Sequence, residues 1–147
     1  MNETEMYFNF LLHVAAADEI LEDEEIKFLE TALLAVGANN TITQDIMEKI
    51  AKFKNNEPLD GLQEVIDSVT SSSNPSLVMT LIRDGYMLAI SDGNVDETEL
   101  VVIKKLFMSF DGSSDKLFNK AIRWAEKSLA LKEDGEEIYR TLSLNED

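Results

Sequence analysis

Two segments 74 residues apart carry the same pattern: VAAADEILEDEEIKFL, from Val14 to Leu29, and LAISDGNVDETELVVI, from Leu88 to Ile103. In each, an apolar run ends in an aspartate (Asp18, Asp92), and an aliphatic residue follows three positions later (Leu21, Val95). A glutamate stands seven positions after the aspartate (Glu25, Glu99), and a new apolar period starts at Ile26 or Leu100. An apolar helix, an acidic turn and a second apolar helix, stated twice, restrict the chain to a helical fold in which both copies share one core.

The rest of the sequence agrees. Met6 to Ala17 suits a mostly buried helix, and Asp23 to Val36 places Ile26, Leu29, Leu33 and Val36 on one face. Gly37 stops that helix ahead of the turn-prone Asn39 and Asn40. Thr43 is the expected cap of a third helix with Ile46, Ile50 and Phe53 inward, and Pro58 suits the first turn of a fourth with Leu62, Val65, Ile66 and Val69. The Ser-rich tract Thr70 to Asn74 is the expected linker, with Pro75 opening the next helix. The second half repeats the plan over Leu77–Ser91, Asp96–Phe110, Asp115–Leu131 and Gly135–Leu144. Gly61 and Gly85 fall inside helical patterns, and Gly85 is expected to mark a close helix crossing. No period-two alternation occurs, so no sheet is predicted. The expected fold is all-α, a single compact domain spanning 1–147. It has seven to eight helices in two pseudo-repeated four-helix halves, 1–70 and 75–147, neither of which closes a core alone.

Composition narrows the chemistry. A chain of 147 residues fits one domain and buries about 70% of its unfolded surface. With no cysteine, disulfides, iron–sulfur clusters and thiolate zinc sites are excluded, and the single histidine, His13, excludes a two-imidazole site. The net charge of -16 argues against phosphate backbones and anionic membranes, and favours cations or basic proteins. With 44% hydrophobic residues the chain has enough for a core. The run Met6 to Ala17 is too short to cross a bilayer, and Glu3 and Glu5 stand where a signal peptide needs positive charge. A soluble, cytoplasmic protein is the expectation.

The chemistry therefore rests on the repeated carboxylates. SDGNVDETEL suggests the second half of an EF-hand loop, but that register puts Leu88 and Ile90 where side-chain oxygens are needed, which excludes it. Asp96 and Glu99 have the spacing of a capping box, and Glu22 to Glu25 place negative charge at a helix start. Asp18 and Asp92 instead end apolar helices, where the helix dipole disfavours an anion and compensation must come from loop amides or a bound cation. If the halves pack about a pseudo-twofold axis, carboxylates of both copies converge. An all-oxygen set of that kind suits calcium, magnesium or manganese better than zinc.

The segments AAADEILEDEEI and AISDGNVDETEL resemble the tandem signature of the tellurite-resistance TerB family, also found in DjlA-type co-chaperones. Glu19 stands where the signature has glycine. The resemblance covers essentially the full chain and implies a compact, internally duplicated helical domain. It also implies an acidic surface proposed to hold metal ions and to assemble with stress-response proteins. Carried over by residue, it points to Asp18, Glu25, Asp92 and Glu99 as metal ligands, with Glu22 and Asp96 as second choices. The partners it implies are other proteins, of stress-response or membrane-associated complexes, with no nucleic acid and no direct membrane insertion. A homo-oligomer is compatible with it.

The remaining features have ordinary explanations. His13 is expected at the edge of the core, the Met and Phe residues within it, and Trp124 at its rim with an edge open to a partner. The sequence contains no nucleophile elbow, Gly-rich phosphate loop or basic stripe. The leading function is a non-enzymatic, acidic binding domain that holds a divalent cation and docks partner proteins. The alternative is a metal-independent acidic module engaging a basic partner, including mimicry of nucleic acid. Metal-assisted hydrolysis by the paired carboxylates ranks third.

Overall fold

The computed structural model describes residues 1–90 and 95–144. Among these, seven helices and no strand are present: α1 (Glu3–Ala15), α2 (Asp23–Ala35), α3 (Asn40–Lys54), α4 (Leu62–Ser72), α5 (Pro75–Ala89), α6 (Glu97–Met108) and α7 (Asp115–Leu144).

α1 is the centre. Asn2 caps it by accepting from the Glu5 amide at 2.8 Å, and Glu3 and Glu5 meet the positive end of its dipole. From Phe8 to Ala15 every side chain is buried, so neighbours must surround the helix. It packs against α2, α3, α4, α5 and α6, and α5 packs in turn on α6 and α7. Phe8, Phe10, Leu12, Leu81, Ile82 and Ile103 are among the fully buried side chains at this junction, each contributing about 1.5–3 kcal/mol. Some of the polar groups drawn inside are paired. Asn9 donates to the Glu5 carbonyl at 2.8 Å and accepts from Lys49, while Tyr7 donates to Asp84 Oδ2 at 2.5 Å, tying α1 to α5.

Several boundaries differ from expectation for local reasons. α3 starts at Asn40, capped by Asn39 rather than Thr43, because Asn39 Oδ1 accepts from the Ile42 amide at 2.9 Å. Pro58 does not open α4. Gly61 does, in the left-handed region at φ 95°, so this glycine bounds the helix rather than lying within it. Val36 caps the end of α2 and is exposed, because the helix stops one residue short of presenting it inward. The expected linker shrinks to Ser73 and Asn74: α4 runs to Ser72, and Asn74 caps α5 at once, with Pro75 in its first turn. The two expected last helices are one, α7, with Gly135 inside it. The second half therefore has three helices where four were expected, and α1 draws on helices from both sides of the midpoint.

Gly85 does mark a close crossing. A Cβ at this position would lie 3.2 Å from Ile103 Cδ1 and 3.8 Å from Val14 Cγ2, so α1, α5 and α6 meet there. That approach sets the ends of α1 and α5 beside the start of α6. No helix among the described residues is long and apolar enough to cross a membrane.

Candidate metal centre

The two acidic turns come together where α1 and α5 end and α2 and α6 begin. After α1, Asp18 folds back so that its Oδ1 accepts from the Ile20 amide at 3.1 Å, which offsets the unfavourable helix-end dipole. This turn holds Glu19 at φ 66°, a left-handed conformation that the signature glycine would adopt without strain. At the start of α2, the Glu22 amide donates to Glu25 Oε1 at 3.1 Å, one half of a capping box.

The second turn is built differently. Asp96 caps α6 through Oδ1, which accepts from the amides of Thr98 and Glu99 at 2.9 and 3.2 Å and from the Thr98 hydroxyl. The Asp96 amide, however, donates to the Ala89 carbonyl at 3.0 Å. That bond takes the place of the return half of the capping box and frees the Glu99 carboxylate to point elsewhere. It points inward: Glu25 and Glu99 are only 3% and 4% exposed, and Oε2 of each has no hydrogen-bond partner among the described residues.

Asp18, Asp96 and Glu99 each offer a carboxylate oxygen within 4.8 Å of the others. With Glu22 and Glu25, and with Leu88 and Ala89 as an apolar floor, they enclose a space of about 40 Å³. Of the residues expected as ligands, Asp18, Glu25 and Glu99 converge here, as do the second choices Glu22 and Asp96. Asp92 lies outside the described residues. The burial of both glutamates is written in their spacing. Glu25 is spaced by four from Leu29 and by eight from Leu33, and Glu99 by four from Ile103 and by seven from Leu106, so each heads the buried stripe of its helix.

Burial and crowding shift these carboxylates. Desolvation raises Glu25, and it raises Glu99 further together with the facing charge of Glu25, so the pair holds a proton through the range where free carboxylates have lost theirs. Asp18 is raised more modestly by desolvation. Asp96 is lowered by the Thr98 hydroxyl and by the amides it caps. The arrangement is an anionic pocket with hard oxygen donors, of a size that suits one ion.

A model of the family described as tellurite resistance protein TerB matches residues 5–132, a span that includes both acidic turns and all the carboxylates of the pocket. The chain belongs to the TerB family. No curated protein and no solved structure matches it significantly. The TerB match ends within α7, so the last twelve residues of that helix, 133–144, extend past the matched region. The all-helical architecture is that expected of a TerB domain, and the acidic pocket lies at the junction of four helix ends, those of α1, α2, α5 and α6.

His13, another buried titratable group of the TerB core, stands apart from the pocket. Burial, and then the charge of Lys49, lowers it to about 4, so it is neutral at pH 7. It lines an open cleft with Phe53 and Pro58 at the edge of the core.

Proposed function

We propose that this TerB domain is a non-enzymatic binding domain that holds one divalent cation, calcium, magnesium or manganese, at the four-helix junction and docks partner proteins in a stress-response setting. Asp18, Asp96 and Glu99 supply the nearest oxygens, Glu25 backs them, and Glu22 stands at the mouth. The observation that carries this is the pair of buried, partnerless oxygens, Oε2 of Glu25 and Oε2 of Glu99. An uncompensated buried carboxylate costs several kcal/mol, and a hard cation satisfies both at once.

Thermal unfolding of metal-depleted protein, with each ion added back, tests this. A rise in melting temperature with at least one of the three ions, lost in both Asp18→Asn and Glu99→Gln, is the expected result. No shift with any of them at millimolar concentration sinks the metal assignment.

The alternative, a metal-independent acidic module, is favoured by the placement of charge. α7 carries as many basic as acidic side chains, so the -16 is concentrated on the remaining helices and loops. Partner capture by that surface is expected to weaken steeply with salt and to be indifferent to Glu99→Gln.

A further inference from the structure

α7 continues well past the core. Phe118, Ala121, Ala125 and Leu129 are its buried contacts with the rest of the molecule, and every side chain from Ala130 to Leu142 is exposed. An isolated stretch of that length is marginal as a helix in water, and Gly135 within it costs about 1 kcal/mol more. Nothing among the described residues accounts for that glycine: a Cβ there would meet open space.

The exposed face is nonetheless ordered as a seam. Leu117, Trp124, Leu131 and Ile138 recur every seven residues, and all are exposed, Leu131 by 71%. Four residues after Trp124 and Leu131 comes a small one, Ser128 and Gly135, whereas Ala121, at the equivalent place after Leu117, is buried against the core. Large and small positions spaced in this way form the two rows of a coiled-coil interface. Charge is ordered along the same helix. Residues 115–132 hold five basic side chains against Asp115 and Glu126, whereas 133–144 hold Arg140 against Glu133, Asp134, Glu136 and Glu137.

We propose that α7 pairs antiparallel with α7 of a second copy of this chain. In that orientation the basic first part of each helix lies over the acidic last part of the other, whereas a parallel pair would set like over like. The register that centres the seam puts Gly135 opposite Trp124 of the partner subunit and Ser128 opposite the partner's Leu131. The smallest residue of one row then receives the largest of the other. Lys127 falls beside Asp134 of the partner subunit, twice by symmetry. Because α7 is itself neutral, the acidity of the remaining surface does not oppose contact along this seam.

Sedimentation equilibrium on the full chain reads the association directly, with melting temperature as the check on folding. The wild type is expected at twice its 16.5 kDa chain mass. Leu131→Glu and Gly135→Gln are each expected to weaken association at least about thirtyfold, as loss of a central anchor does. Gly135→Gln should do so while raising helicity, which keeps the outcome separate from misfolding. The chain has no native cysteine, so single-cysteine variants report orientation. Lys127→Cys mixed with Asp134→Cys is expected to give the mixed disulfide in preference to either homodisulfide. A wild type that stays monomeric into the millimolar range overturns the proposal. So does a dimer indifferent to both seam variants, or one that crosslinks Lys127→Cys to itself.

Discussion

Glu25 and Glu99, 74 residues apart in sequence, face each other within hydrogen-bonding reach, each heading the buried stripe of its own helix. Two carboxylates so placed cannot both be charged without a counterion, so the pair holds either a proton or a cation.

Glu99→Gln should therefore have opposite effects with and without metal. In metal-free protein at pH 7 the glutamine amide donates to Glu25 in place of the proton that Glu99 otherwise holds, and keeps that contact as pH rises, stabilising the fold by about 1 kcal/mol or less. The same change should abolish stabilisation by divalent cations. Urea unfolding with and without chelator measures both; a destabilised metal-free variant would contradict the assignment.

The pair also sets a pH dependence. Both carboxyls are raised in the folded state, so the fold binds their proton more tightly than the unfolded chain does. Their contribution is fully present below the ordinary carboxylate pKa and is lost as pH rises through neutrality. Cation binding at pH 7 should accordingly release protons, seen by titration calorimetry in buffers of different ionisation enthalpy. Identical heats in all buffers would count against a shared proton.

His13 works in the other direction. Its folded pKa, lowered to about 4, lies below the ordinary value, so stability is present above about 6.5 and falls as pH drops from there toward 4. The loss is roughly 2–4 kcal/mol. Comparing wild type with His13→Asn over this range isolates the effect, because the variant lacks the slope and keeps that of the glutamate pair.

Glu19→Gly should stabilise the first turn. Glu19 holds a left-handed conformation that costs about 1–2 kcal/mol, part of which glycine returns as unfolded-state entropy. A net gain of about 0.5–1 kcal/mol and a rise of a few degrees in melting temperature are expected. An unchanged or lowered melting temperature would show that the Glu19 side chain contributes in some other way.

Gly85→Ala should destabilise despite the better helix propensity of alanine, because the new methyl meets Ile103 at 3.2 Å in a filled core. A net cost of about 1 kcal/mol is expected, and Ile103→Val, by removing the nearest methyl, should make the double variant less unstable than the sum of the two. Strict additivity would mean that the crossing has slack.

The helices and their stops were largely legible because they rest on local chemistry. Gly37 ends α2 at φ 63°, Pro75 opens α5, and the apolar spacing of Ile46 and Ile50 marks the inner face of α3. Boundaries failed where two local signals competed. Asn39 outbid Thr43 as a cap, and Gly61 took the start of α4 from Pro58. Gly135 lies inside α7 although its sequence signal is that of a break, because a lone glycine reads the same whether it ends a helix or lies inside one. Within the pocket, the aspartates drew attention through the dipole argument, yet Asp18 is served by a local amide. The glutamates hold the partnerless oxygens, and that depends on Asp96 giving its amide to Ala89, a choice made by tertiary geometry.

The position of α1 has a consequence for synthesis. The helix that touches five others is made before all of them, and its last neighbour, α6, ends at Met108. At about 5–20 residues per second, some 5–20 s pass between completion of α1 and completion of its surroundings. Throughout that interval Phe8, Phe10, Leu11 and Leu12 lack their final cover. During synthesis of a domain of this design the segment most exposed to sticking is α1, and it is there that a ribosome-bound chaperone would find its grip.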